Sequence, residues 1–107
     1  MTTADQHYVR GSEVQWRTKF FDRDRNPTAP PSVTLYVHYK KRGKPETDVI
    51  QMVGLEDYAF YAEWDSSKAD AGYVYWHIRS TGGETPQADE GRFTLLANPA
   101  NPDIEEL

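Results

Sequence analysis

The stretch from Gly72 to Ser80 constrains the fold more than any other part of this chain. Its apolar residues Val74, Trp76 and Ile78 stand at alternate positions, and tyrosine, histidine and arginine fill the positions between them. Successive side chains of a β-strand point to opposite sides, so this pattern predicts a strand that separates an apolar core from a second environment. A glycine-containing break and a polar loop then lead to residues 90–96, which predict the partner strand of a hairpin.

The same alternation occurs in earlier segments of the chain, near residues 12–21, 33–39 and 58–64, and a less regular version covers 46–53. Proline, glycine and charged residues separate these segments. Residues 65–71 have a helical tendency that is sufficient for a single turn. About seven short strands without an amphipathic helix predict an all-β sandwich.

Composition limits how the core can be built. Although 37% of the 107 residues are hydrophobic, three Trp, seven Tyr and four Phe supply large side chains, which favours one domain with a thin core between two sheets. Cysteine is absent, so packing rather than disulfides must hold the domain together. We expect a polar N-terminal arm at residues 1–11, a β-sandwich at 12–97 and an acidic, proline-containing C-terminal tail at 98–107.

Charge and hydropathy argue against several classes of partner. A formal net charge of −5 opposes general attraction to nucleic acid or to an anionic membrane. No apolar run approaches the roughly 18 residues that a bilayer span needs, and the N-terminal residues lack the apolar centre of a signal peptide. We therefore expect a soluble protein with no membrane partner, and any contact with nucleic acid would have to be local.

The sequence holds no recognisable set of residues for catalysis. His7, His38 and His77 lie in three separate segments, and none has the spaced partners of a zinc site or of a catalytic triad. The acidic residues between positions 57 and 70 lack the paired arrangement that glycoside cleavage requires. We expect a protein that is not an enzyme and that uses no cofactor and no metal.

One acidic turn resembles the first half of a calcium-binding loop. Asp22, Asp24 and Asn26 alternate as oxygen ligands would, but an EF-hand needs glycine and glutamate where this chain has Pro27 and Val33. The pattern therefore favours a turn in which these side chains bond to their own backbone. A looser calcium site in this loop remains an alternative.

Aromatic residues on the side of the strands that faces away from Trp76 form the first candidate contact surface. A sandwich needs only one face of each sheet for its core, and tyrosine is enriched at protein interfaces. If the strands are neighbours, these residues share one sheet face; the alternative is that they belong to the core. The set comprises Tyr36, His38, Tyr61, Tyr73, Tyr75 and His77.

A basic hairpin loop and the C-terminal tail are two further candidate contacts. The loop could bind phosphate, dock on an acidic protein surface, or keep the turn solvated. A few cations on one loop of an acidic protein favour the second and third of these roles. In the tail, Ile104 and Leu107 are the apolar residues that could anchor a bound segment. The loop cations are Lys40, Lys41, Arg42 and Lys44.

A set of motifs spans residues 11–97. They are Gly11-x-x-Val14-x-Trp16, Pro31-Ser32-Val33-Thr34-Leu35, the aromatic strand Tyr58–Trp64, Ala71-Gly72-x-x-Tyr75-x-x-x-Arg79-x-x-Gly82 and Glu90-Gly91-x-Phe93. Taken together, they resemble the small immunoglobulin-like domains encoded in the structural gene clusters of tailed phages and prophages.

This resemblance implies an immunoglobulin-like β-sandwich of about seven antiparallel strands with polar N- and C-terminal tails. It also implies a non-enzymatic virion protein, namely a head decoration, head–tail or tail component that acts by protein–protein binding. Its partners would be capsid, head–tail or tail subunits, and we expect a homo-oligomer on the particle. The protein would be made in the cytoplasm of the bacterial host and located in the virion.

A carbohydrate-binding β-sandwich is the alternative function. Exposed aromatic rings can stack on sugar rings, and a sandwich rich in tyrosine and tryptophan is compatible with that role. The two functions differ in what the aromatic residues contact, which is protein in one and glycan in the other.

Overall fold

The computed structural model describes residues 6–81 and 88–97, and this part of the chain folds into two stacked β-sheets. The predicted all-β sandwich is therefore confirmed. Short 3-10 turns lie at Glu56–Tyr58 and Ser66–Lys68, the second of them within the segment that predicted a single helical turn. The strands are β1 (Gln6–Val9), β2 (Glu13–Phe21), β3 (Pro27–Thr28), β4 (Ser32–Lys41), β5 (Lys44–Gln51), β6 (Val53–Gly54), β7 (Ala59–Asp65), β8 (Gly72–Thr81) and β9 (Ala88–Leu96).

The hairpin partners β8 and β9 lie inside the larger sheet. The five-stranded sheet has the order β1-β9-β8-β4-β5, and the four-stranded sheet has the order β3-β2-β7-β6. Neighbouring strands pair antiparallel except β1, which runs parallel to β9. The predicted arm at residues 1–11 is therefore too long, because residues 6–9 belong to the sandwich. Residues 1–5 and the predicted tail at 98–107 lie outside the described residues.

Aromatic rings from both sheets meet at Phe93 of β9 in the core. Trp16 of β2 and Trp64 of β7 approach from the four-stranded sheet, with ring centroids 6.0 and 6.2 Å from that of Phe93. Tyr8 of β1 packs edge-on against the same ring at 5.1 Å. Aromatic pairs of this kind add about 0.5–1.5 kcal/mol each beyond the area that they bury. Large rings thus compensate for the low hydrophobic fraction of the chain.

The alternation of β8 determines which of its residues enter this core. Val74 and Ile78 are 0 and 1% exposed, whereas Tyr73 and Tyr75 are 58 and 50% exposed. The two sides that the sequence predicts for this strand are confirmed.

Trp76, on the core side of β8, is half-buried because its indole lies across the neighbouring strand. Gly91 is its partner in the β8–β9 register, and a Cβ atom on Gly91 would stand 2.6 Å from Trp76 Cζ2. A side chain there would push the indole from its edge-on contact with Trp16, where the ring centroids are 6.1 Å apart. Packing therefore requires the glycine of the Glu-Gly-x-Phe motif.

Asp48 of β5 joins the two sheets at the edge of the core. Its carboxylate accepts hydrogen bonds from the Tyr39 hydroxyl at 3.0 Å and from the Trp64 indole N–H at 2.8 Å, and it pairs with the Lys68 ammonium at 2.9 Å. Tyr39 and Asp48 belong to the five-stranded sheet, whereas Trp64 belongs to the facing sheet. These bonds satisfy polar groups whose removal from water would otherwise cost free energy.

The same contacts set the protonation states of this cluster. Burial acts to raise the pKa of Asp48, but the hydrogen bonds from Lys68, Trp64 and Tyr39 outweigh it, so the pKa lies below its usual value. Burial, together with the hydrogen bond to Asp48, raises the pKa of Tyr39 to about 12. The fold therefore stabilises an ionised Asp48 and a neutral Tyr39 hydroxyl.

We expect Asp48→Ala to lower the free energy of unfolding by about 2–4 kcal/mol, because it leaves the Trp64 N–H and the Tyr39 O–H without their acceptor. Urea unfolding at neutral pH measures this loss. The pKa of Asp48 is lower in the folded than in the unfolded chain. Its contribution to the free energy of unfolding is therefore present above the unfolded pKa of about 3.9 and is lost as the pH falls through the folded pKa. The difference between wild type and variant should therefore shrink in acid.

Glu46→Ala is the matched control, since Glu46 is an exposed carboxylate on the same strand. It should change the free energy of unfolding by less than about 0.5 kcal/mol. Equal losses for the two variants, or an Asp48→Ala loss that stays constant into acid, would contradict the role of Asp48 as the acceptor that joins the sheets.

Candidate functional site

The outer side of the five-stranded sheet brings together five of the six predicted aromatic contact residues. In the β4–β8 register, Tyr36 stands opposite His77, and His38 stands opposite Tyr75. Tyr73 lies two positions before Tyr75 on β8 and therefore points to the same side. All five lie outside the core cluster of the described residues. We refer to Tyr36, His38, Tyr73, Tyr75 and His77 as the aromatic face.

Tyr61, the sixth predicted residue, is on the other sheet, so its assignment to the shared face is wrong. It lies on β7, opposite Arg17 of β2 and Val53 of β6. Its neighbours Phe60 and Ala62 are buried, so Tyr61 points outward on the far side of the sandwich. Alternation along one strand shows which residues share a side of that strand, but it does not show which sheet the strand joins.

A stack of three rings forms the centre of the aromatic face. The ring centroids of Tyr36 and His77 are 4.5 Å apart at an interplanar angle of 18°, and those of His77 and His38 are 5.0 Å apart at 23°. His38 Nε2 lies 3.2 Å from His77 Nδ1, and His38 Nδ1 lies 2.9 Å from the Thr47 hydroxyl on β5. The rings therefore hold one another in place across β4 and β8, and Thr47 adds a hydrogen bond from β5, before any partner binds.

The surroundings of His77 favour its neutral form. Burial lowers the pKa of His77 most, and the neighbouring His38 and Arg79 lower it further, while Glu90 acts in the opposite direction. A proton on this imidazole would be partly removed from water and close to other positive groups. His77 is thus an uncharged contact at neutral pH, and it adds positive charge to the face in acid.

Exposed side chains extend the aromatic face to both edges of the sheet. Val9 on β1, Leu96 on β9 and Val49 on β5 are 40, 43 and 63% exposed, and their register places them on the same side. The ring centroids of Tyr73 and Tyr75 are 6.5 Å apart, with the planes tilted by 43°. The sequence pattern did not predict that these three aliphatic residues share one face, because only strand pairing aligns them.

Positive charges predominate around the aromatic face. The Arg92 guanidinium lies 4.8 Å from the Tyr73 ring centroid, which is a cation–π contact. Arg79 and Lys40 also lie on this side, and Glu90 is the one acidic residue at the described strand positions that share it. At the described strand positions this side thus holds three basic groups and one acidic group, although the formal net charge of the chain is −5.

The basic loop is a two-residue turn between Lys41 at the end of β4 and Lys44 at the start of β5. Arg42 and Gly43 have φ angles of 53° and 78°, as tight hairpin turns require. The N–H groups of Gly43 and Arg42 donate to the Asp70 carboxylate at 2.8 and 2.9 Å, which lowers the pKa of Asp70. The predicted contact residues Lys40, Lys41, Arg42 and Lys44 are all exposed.

The acidic turn closes on its own backbone, as its sequence favours. Asp22 Oδ1 accepts hydrogen bonds from the N–H groups of Asp24 at 2.8 Å and Asn26 at 2.9 Å. Among residues 6–81 and 88–97, no group of three or more His, Asp or Glu residues is placed to hold a metal ion. Across the same residues, no helix has the length and apolar character that a membrane span requires. The predicted tail contacts Ile104 and Leu107 lie outside the described residues.

Comparison with protein-family models, with curated proteins and with solved structures gives no match for this chain. The resemblance to phage domains therefore stays a prediction. The aromatic face and the charges around it are the observations from which a function can be inferred.

We expect His38→Gln to raise the pKa of His77, because it removes a neighbouring group that opposes protonation of the imidazole. NMR titration of the His77 ring resonances measures the change. His7→Gln is the matched control, since His7 is an exposed histidine on the edge strand β1. This substitution should leave the pKa of His77 unchanged. A His77 pKa that does not respond to His38→Gln would contradict the stacked arrangement.

Proposed function

We propose that this chain is a non-enzymatic structural or accessory protein that binds other proteins through the aromatic face. One observation carries the proposal: Tyr73, Tyr75 and Val49 are 58, 50 and 63% exposed on a side of the sheet that the core does not use. Contiguous exposed aromatic and apolar side chains on a protein surface mark contact sites. Tyrosine suits such a site because it joins a large apolar ring to a hydrogen-bonding hydroxyl.

The order within the face favours binding with a small loss of entropy. Fixing a freely rotating side chain at an interface costs about 0.5–1.5 kcal/mol. The rings of Tyr36, His77 and His38 are already stacked, and Arg92 already lies over Tyr73. The surface is therefore suited to a contact in which its side chains move little.

The face is also large enough for a specific contact. Five strands about 4.8 Å apart, which average about eight residues rising about 3.3 Å each, cover roughly 600 Å² in projection. A standard protein interface buries about 800 Å² on each partner. Because side-chain relief makes accessible area larger than projected area, this single face can supply such an interface.

The assembly that we propose is a tailed-phage particle, and the fold that we propose is immunoglobulin-like. The motif resemblance supports both, and the strand arrangement, in which β9, β8 and β4 share one sheet while β2 and β7 share the other, supports the fold. Immunoglobulin sandwiches set their C, F and G strands against their B and E strands in this way. A head decoration, head–tail or tail protein that presents a binding face to neighbouring subunits and to its own copies fits these features.

Carbohydrate binding is the second candidate function, and the exposed rings of Tyr73 and Tyr75 favour it. In that case glycan-array binding would be lost on Tyr75→Ala or Tyr36→Ala. The 43° tilt between the Tyr73 and Tyr75 rings suits the relief of a protein surface better than a flat sugar ring.

The double variant Tyr73→Ser, Tyr75→Ser should lose binding to the particle, because it removes two large exposed rings of the face and leaves the core side of β8 intact. Co-sedimentation with purified particles and with separated heads and tails measures the loss, which we expect to exceed about tenfold. Circular dichroism should show an unchanged fold.

Tyr58→Ser is the matched control, since Tyr58 is 51% exposed and lies outside the aromatic face. It should bind particles as the wild type does. Equal binding by the wild type and the double variant would refute the assignment of this surface.

A further inference from the structure

The positive charge around the aromatic face has a counterpart in the sequence of the same chain. Residues 103–107 read Asp-Ile-Glu-Glu-Leu and so combine three acidic side chains with two apolar ones. Lys40, Arg79 and Arg92 offer the opposite charge beside apolar rings. We propose that residues 103–107 of one copy bind the aromatic face of a second copy, so that copies join head to tail. This inference rests on the proposed function, because it uses the same face.

Spacing on the face fits a segment of this length. Arg92 stands opposite Tyr75, and Arg79 lies four positions after Tyr75 on β8. At about 3.3 Å per residue, the backbone positions of the two arginines are about 13 Å apart along the strands, and an extended five-residue segment spans about 17 Å. In an extended segment Asp103, Glu105 and Leu107 share one side, so the two carboxylates can approach the arginines while Leu107 lies against the rings.

The position at which β9 ends allows residues 103–107 to reach a second copy. β9 ends at Leu96, which is 43% exposed on the side of the sheet that carries the aromatic face. The ten residues 98–107 can span at most about 33–36 Å, and the face is about 26 Å long along its strands. To bind its own face, the chain would have to reverse direction directly after β9. A second copy placed beyond the end of β9 can receive the segment without that reversal.

Face-to-face pairing of two copies is the rival arrangement, and charge disfavours it. Lys40, Arg79 and Arg92 of one copy would confront the same three cations of the other, with Glu90 as the one acidic residue at the described positions of each face. Like charges brought together at an interface oppose association, whereas an acidic segment neutralises them.

Head-to-tail binding also has a structural consequence. Each copy offers one face and one segment, so the contact is heterologous and can close into a ring or continue as a filament. Repeated placement of copies on a particle requires a contact of this kind or one to a repeated subunit.

Sedimentation velocity of the full chain over a range of concentrations tests the inference. The wild type should associate in a concentration-dependent way. Salt should weaken the association, because the Debye length falls from about 10 Å at 0.1 M to about 3 Å at 1 M. The segment variant Asp103→Asn, Glu105→Gln, Glu106→Gln and the face variant Arg79→Gln, Arg92→Gln should each associate at least about tenfold more weakly.

Mixing the segment variant with the face variant tests the head-to-tail arrangement directly. The first retains an intact face and the second retains an intact segment, so together they should form a one-to-one dimer and nothing larger. Lys41→Gln, Lys44→Gln is the matched control, because it removes two positive charges from the exposed basic turn and leaves the aromatic face unchanged. It should associate as the wild type does.

Three results would overturn the inference: association that survives in the segment variant, a wild type that stays monomeric at every concentration, or a loss in the control as large as that in the face variant. If Tyr73→Ser, Tyr75→Ser still abolishes particle binding in any of these cases, the proposed function stands and this partner is wrong. If that double variant also binds particles normally, both proposals fail.

Discussion

The outer surface of the five-stranded sheet depends on the packing of one ring inside it. Phe93 contacts Tyr8 on its own sheet and Trp16 and Trp64 on the facing sheet, so it cannot turn outward without opening the core. Because side chains alternate along a strand, an inward Phe93 places Arg92 outward. A slip of one residue in β9 would bring Arg92 into the aromatic core, and the cost of burying that charge opposes it.

Packing elsewhere in the core fixes the strands that neighbour β9. The indole of Trp76 occupies the space above Gly91, which fixes the register of β8 against β9. On the opposite side, the β4–β8 register sets Tyr36 against His77 and so allows the three-ring stack. Asp48 closes the far edge of the core by bonding to Tyr39 and Trp64. The aromatic face is therefore the outer surface of a rigid body, and its geometry is a consequence of core packing.

Local pattern was sufficient to predict part of this arrangement. The sides of β4 and β8 follow from alternation, so Tyr36, His38, Tyr75 and His77 were assigned correctly to an outward side. The sheet that each strand joins depends on long-range pairing. Tyr61 has the same local pattern, yet β7 joins the other sheet. The docking of β1 and the position of Val49 depend equally on partners distant in sequence, and no single-strand pattern contains that information.

A sheet face with ordered aromatic rings and a positive excess, on an otherwise acidic chain, is the basis for proposing a protein that works by contact. Tyrosine footprinting of the free and the assembled protein tests this claim most directly, because it reports the accessibility of individual rings. Tyr73, Tyr75 and Tyr58 are 58, 50 and 51% exposed in the single chain. Our account predicts that Tyr73 and Tyr75 become protected on assembly while Tyr58 stays reactive. Protection of Tyr58 with continued reactivity of Tyr73 and Tyr75 would contradict it.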